Sequence, residues 1–196
     1  MSSRSPRASA IDVRLTGDGR ELICHDPHCQ GITVATASAH ELQEWPTLPA
    51  VLQQYRKCAF LDIELKVPGL EKRTAELLRH LAPTRGFIVS SFLPEVVRQV
   101  HSVNEAIPVG LICDRPEQLV LWNKLPLSHV MPHYKLVSQT LIAELHAAGL
   151  KVFVWTLNRS DEMWRLADSG VDGIISDDTA LLVKTFINYG TLPGHQ

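Results

Sequence analysis

No apolar run in this chain approaches the roughly 20 residues that would cross a bilayer, so no transmembrane segment is expected. Long blocks of Lys and Arg are also missing, and the formal net charge is only -2. Nucleic acid and an acidic membrane surface are therefore poor candidates for the main partner. The stretch from Met1 to Ala10 carries charge but no apolar core behind it, unlike a secretory signal. Residues 1–9 read as a flexible lead-in, ahead of a single domain over residues 10–190. The fingerprint G-x-G-x-x-G is absent after the first expected strand, which counts against a dinucleotide-binding sheet. Cys24, Cys29, Cys58 and Cys113 include no C-x-x-C pair and read as reduced thiols of a cytoplasmic protein. The run Cys24-His25-Asp26-Pro27-His28-Cys29 invites a zinc reading, but no second, separated ligand pair follows it.

What the chain does have is core-forming residues in alternating patterns. With 196 residues and 45% hydrophobic content it can bury a sizeable core. Strand patterns fall at Ile11–Thr16, Glu21–Cys24, Phe60–Leu65, Phe87–Ser91, Val109–Cys113, His129–Pro132, Lys151–Thr156 and Gly173–Ser176. Helical spacing of Leu, Ile and Val marks Leu70–Leu81, Pro94–Val103, Gln139–Ala148 and Asp161–Ser169. Thr16-Gly17-Asp18-Gly19 predicts a tight turn joining the first two strands as a hairpin. The remaining strand–helix alternation has the period of a parallel α/β sheet. Polar residues recur at successive strand ends, which favours a (β/α)8 barrel, because a barrel collects its site from those ends. About seven βα units are visible, one short of a complete TIM (β/α)8-type barrel. The missing unit is the first.

The segment Leu61-Asp62-Ile63-Glu64-Leu65-Lys66 carries the sharpest chemical signal. Residues two apart on a strand share a face, so Glu64 and Lys66 project together at the strand's C-terminal end. Such a pair could hold a divalent cation and an anionic oxygen side by side, with His25 supplying a proton from another strand end. It could equally be a salt bridge capping an ordinary strand.

The order Ile11-Asp-Val-Arg-Leu-Thr-Gly-Asp-Gly-Arg-Glu-Leu-Ile-Cys-His-Asp-Pro27, then Pro46-Thr-Leu-Pro49, then Asp62-Ile-Glu-Leu-Lys66 resembles the glycerophosphodiester phosphodiesterase family. Val89-Ser-Ser-Phe92, Val154-Trp-Thr-Leu-Asn158 and Gly170-Val-Asp-Gly-Ile-Ile-Ser-Asp177 extend the resemblance to about residue 185. It implies a TIM barrel that hydrolyses glycerophosphodiesters to an alcohol and glycerol 3-phosphate, in glycerophospholipid metabolism, with Mg²⁺ or Ca²⁺ as cofactor. It further implies Asp12 and Glu64 as metal ligands, His25 as the histidine of a His-Asp motif, and Lys66 as a substrate-side cation. Trp155 could flank the substrate's glycerol, or simply pack.

Departures from the family pattern are as informative. The family's opening strand ending in His-Arg-Gly, and its Glu-Asn-Thr helix, have no counterpart before Ile11. The first carboxylate of its Glu-x-Asp metal pair falls on Ala10. The resemblance therefore implies an impaired enzyme, or an inactive relative that binds a phosphorylated small molecule or a protein. It also implies an open barrel edge through which the chain could self-associate. Ser90, Ser91, Ser176 and Asp177 read as helix caps, His133 as a solvated loop residue, and His146 as a surface residue.

Overall fold

The computed structural model describes residues 8–187. The expected lead-in before Ala8, and the expected domain end at residues 188–190, lie outside them. The chain divides into two compact units, with the boundary between Leu111 and Ile112.

The first unit is built on a sheet. Its first strand, β1 (Ala8–Leu15), turns through a hairpin into antiparallel β2 (Glu21–Ile23), as the Gly-Asp-Gly turn predicts. The hairpin turn is closed by the Thr16 hydroxyl, which donates to Asp18 at 2.6 Å, and Gly19 takes the positive φ that a turn requires. A short ribbon follows, β3 (His28–Cys29) and β4 (Ile32–Thr33), joined by Gln30 and Gly31, both at positive φ. Next come helix α1 (Leu48–Tyr55), strand β5 (Phe60–Leu65), helix α2 (Glu71–Leu81), strand β6 (Phe87–Ser91), helix α3 (Pro94–Val103) and strand β7 (Val109–Cys113). The strand order is β2-β1-β5-β6-β7, parallel except for β2.

Burial explains the register. Val13, Leu61, Ile63 and Leu65 are fully buried, and they alternate along β1 and β5 with polar positions. A slip of one residue would drive those polar side chains into the apolar layer. β1 begins three residues before the expected Ile11, because Ala8 to Ala10 continue the pairing onto Phe60 to Asp62. Helix α1 was not expected from the sequence.

In the second unit the end of β7 is followed by the one-turn helix α4 (Pro116–Leu119), strand β8 (His129–Pro132) and helix α5 (Gln139–Ala147). Strand β9 (Lys151–Val154), helix α6 (Ser160–Asp168), strand β10 (Gly173–Ile174) and helix α7 (Thr179–Ile187) complete it. β8, β9 and β10 are parallel neighbours in that order. Val130, Met131, Leu145, Val152, Val154 and Met163 form the core here. The expected strands are present, β8 at its expected bounds and the next two shorter, since β9 stops at Val154 rather than Thr156 and β10 at Ile174 rather than Ser176.

Candidate functional site

The parallel register of β1 and β5 sets Asp12 beside Glu64, near the C-terminal ends of both strands. Lys66 lies just past the end of β5, on the same face as Glu64. Its ammonium reaches both carboxylates, at 2.9 Å from Asp12 Oδ1 and 2.7 Å from Glu64 Oε1. It also lies 5.9 Å from the centre of the Phe92 ring, within cation–π range. The side chains of Lys66 and Glu64 are each 12% exposed, and that of Asp12 is 24% exposed, so the group is sheltered yet open to solvent. Burial raises the Glu64 pKa; Lys66 opposes the shift and the Asp12 carboxylate adds to it. Although Glu64 Oε1 is close to the ammonium, it is buried and makes no hydrogen bond of good geometry. Such an acceptor oxygen still has capacity for a cation.

Beneath this pair lies a residue that the sequence reading passed over as a site residue. Asp62 is buried one step down the same face of β5, opposite Ala10. Burial pushes its carboxyl up to about 7, against the Ser90 hydroxyl, which donates to Asp62 Oδ1 at 2.6 Å. The signal was in the sequence, because Asp62, Glu64 and Lys66 alternate on one strand face. Ser90 is thus no helix cap, contrary to expectation. Ser91 does serve the start of α3, accepting from the Leu93 N–H, and it also donates to the Leu65 carbonyl.

His25 follows β2, and the N–H of its neighbour Cys24 donates to the Asp12 carbonyl at 2.9 Å. The imidazole pairs through Nδ1 with Asp26 Oδ1 at 2.8 Å and is 74% exposed. Trp155 belongs to the second unit, where its Nε1–H donates to the Met131 carbonyl at 2.7 Å and its ring meets His133 edge-on. Asp12, Glu64 and Lys66 are therefore in direct contact, and His25 is tied to Asp12 through the adjoining backbone.

Two other expectations need correction. Cys24 and Cys29 are joined as a disulfide within an apolar cluster of Leu22, Val34, Ala37 and Leu42. Neither Cys58 nor Cys113 is joined in a disulfide. The last helix is capped by Asp178, which accepts the Leu181 N–H; Ser176 serves its start by accepting the Asp178 N–H, whereas Asp177 bonds to Asn158. His146 is exposed, as expected, and its Nε2 pairs with Asp172 at 2.8 Å.

Among the described residues no three His, Cys, Asp or Glu side chains converge as a metal cage. The donor set fits a hard cation only in part. Two carboxylates supply the right oxygen chemistry, while the Lys66 ammonium occupies the space between them.

The sequence pattern of the Glycerophosphoryl diester phosphodiesterase family matches residues 65–181, more than half of the chain. The chain belongs to this family. A glycerophosphodiester phosphodiesterase of Caldanaerobacter subterraneus is 26% identical over 202 residues, covering 89% of this chain and 83% of that protein. A solved glycerophosphodiester phosphodiesterase from Parabacteroides distasonis superposes with a TM-score of 0.79 at 21% identity, covering 93% of this chain and 84% of its own. An Oleispira antarctica phosphodiesterase, solved in complex with the product sn-glycerol-3-phosphate, superposes at 0.76 with 23% identity, covering 92% and 85% respectively. The fold class is accordingly α/β of the TIM-barrel type seen in this family. No strand precedes β1 among the described residues.

Proposed function

We propose that this chain hydrolyses glycerophosphodiesters to an alcohol and glycerol 3-phosphate. The observation carrying the proposal is the register that sets Asp12 beside Glu64 with Lys66 between them. Family membership supports it, as does the product-bound relative from Oleispira antarctica.

Phosphodiester hydrolysis builds negative charge on the phosphoryl oxygens and on the departing alkoxide. Mg²⁺ or Ca²⁺, held by Asp12 and Glu64, would neutralise part of the phosphoryl charge. Lys66 binds and orients an anionic oxygen once it turns from the carboxylates to the phosphate. His25, exposed and oriented by Asp26, gives its proton to the leaving oxygen. A proton transfer of this kind contributes roughly 10²–10⁴-fold. With His25 as the one assigned proton-transfer group and Ala10 where a further carboxylate would stand, turnover is slow. A cytoplasmic location is part of the same proposal, and so is self-association along the uncovered part of β1.

The Lys66 bridge favours a second reading, in which the ammonium stays locked and the chain binds a phosphorylated small molecule without turnover. Release of glycerol 3-phosphate from glycerophosphocholine decides between them. The first reading expects release with Mg²⁺ or Ca²⁺, its loss with EDTA, and a larger fall in kcat than rise in KM for His25→Ala and Glu64→Ala. Turnover that resists EDTA would overturn the metal assignment. Saturable binding of glycerol 3-phosphate with no turnover would support the second reading.

A further inference from the structure

We infer that Arg14 is a positioning residue for His25, an inference that rests on the role proposed for His25 above. Arg14 stands on β1 two residues beyond Asp12, on the same strand face. Among the described residues its guanidinium pairs with no carboxylate. Instead Nε donates to the His25 carbonyl at 3.1 Å and Nη2 donates to the same oxygen at 2.8 Å. Two donors of a rigid, charged fork on one acceptor fix that peptide plane more firmly than a single bond could.

The clamp matters because His25 has little else to hold it. Its ring is 74% exposed and contacts its neighbour Asp26, so packing does not set its direction. Order must then come from the backbone, and the backbone is fastened on both sides. Before His25, the Cys24 N–H donates to the Asp12 carbonyl, and the Cys24 sulfur is bonded to Cys29. At His25 itself the carbonyl is held by Arg14. The returning leg of the loop borders the same small cleft as Arg14, which Pro27, Thr33 and Val34 also line. Arg14 thus holds the outgoing leg of the 24–34 loop, shares a cleft with the returning one, and ties the proton donor to the strand that carries Asp12. Misplacing a reacting group by about 1 Å can cost about 10²-fold in rate, so a lost clamp should appear in turnover rather than in binding.

The test uses the full chain with glycerophosphocholine and Mg²⁺. Arg14→Met should lower kcat by about 10- to 100-fold with KM within about twofold, and Arg14→Lys, which restores one donor, should recover part of the loss. In a His25→Ala background, Arg14→Met should cost nothing more, because the two residues act as one unit. With bis(p-nitrophenyl) phosphate, whose leaving group needs no proton, the Arg14→Met loss should shrink. A raised KM with kcat intact would assign Arg14 to the substrate instead, and an additive loss in the His25→Ala background would also overturn the inference. If the unaltered chain turns over no diester, the reading of its function fails, and the clamp is judged by NMR of the His25 ring. There Arg14→Met should shift and broaden the ring resonances and Arg14→Lys should partly restore them; unchanged resonances would refute the clamp.

Discussion

His129 illustrates how burial can decide a side chain's charge. It opens β8, only 6% exposed, with its Nδ1 2.8 Å from the Ser128 hydroxyl and its ring edge-on to Phe153. Burial, with Lys151 adding to it, lowers its pKa to about 4 from an ordinary 6.5. The folded state therefore keeps it neutral while the unfolded chain protonates near 6.5. Stability from this group is complete above the unfolded value and is lost as pH falls towards 4, by at most about 1.4 kcal/mol per pH unit. His129→Gln, which retains a polar group for Ser128, should flatten the fall in urea midpoint between pH 6.5 and pH 4.5. An equally steep fall in the variant would place the acid sensitivity elsewhere. Asp62 has the opposite sign: burial raises its pKa, so it favours the folded state in acid.

At the scale of elements, β9 and β10 are held together by a missing side chain. Gly173 pairs with Phe153 in the parallel register, and a Cβ on Gly173 would lie 2.8 Å from Phe153 Cδ1 and 2.9 Å from Cγ and Cε1. The ring is also met edge-on by His129, which limits its room to retreat. Gly173→Ala should cost about 1–3 kcal/mol through overpacking. Melting temperature should fall by roughly 2–4 °C per kcal/mol, and adding Phe153→Leu should return part of it. An unchanged melting temperature would mean that the strands separate easily. Asp172 also fastens this region, taking the Val152 N–H and His146 Nε2 on one carboxylate oxygen.

At the scale of the whole molecule, the exposed stretch of β1 has the most consequence. On the side of this strand away from β5, β2 pairs with Val13 to Leu15. Among the described residues, no pairing is recorded for Ala8 to Ile11 on the side away from β5. An uncovered strand edge is a template for another chain. Sedimentation velocity should show a species that grows with protein concentration, and Ser9→Lys, at an exposed edge position, should return it to monomer at unchanged melting temperature. A monomer at every concentration would defeat the self-association proposal.

Periodicity, turn residues and strand-end polarity were enough, from the sequence, to determine the parallel α/β class and β5, β6, β7, β8 and α3 at their observed bounds. Those signals are local, and strands with both faces buried announce themselves as apolar runs. Helix α1 went unread because its eight residues include Pro49 and carry too few turns to reveal a helical period. The adjacency of Glu64 and Lys66 was also legible, since two residues on one strand need no other element to bring them together. Tertiary structure decided the rest of the site. That Lys66 bridges Asp12 and Glu64 depends on the β1–β5 register, and register is a contact between segments some fifty residues apart along the chain. The Cys24–Cys29 bond, the burial of Asp62 and the Arg14 fork on the His25 carbonyl likewise arise from packing. No local pattern encodes them, because charge state and hydrogen-bond partner depend on which groups exclude water from a side chain.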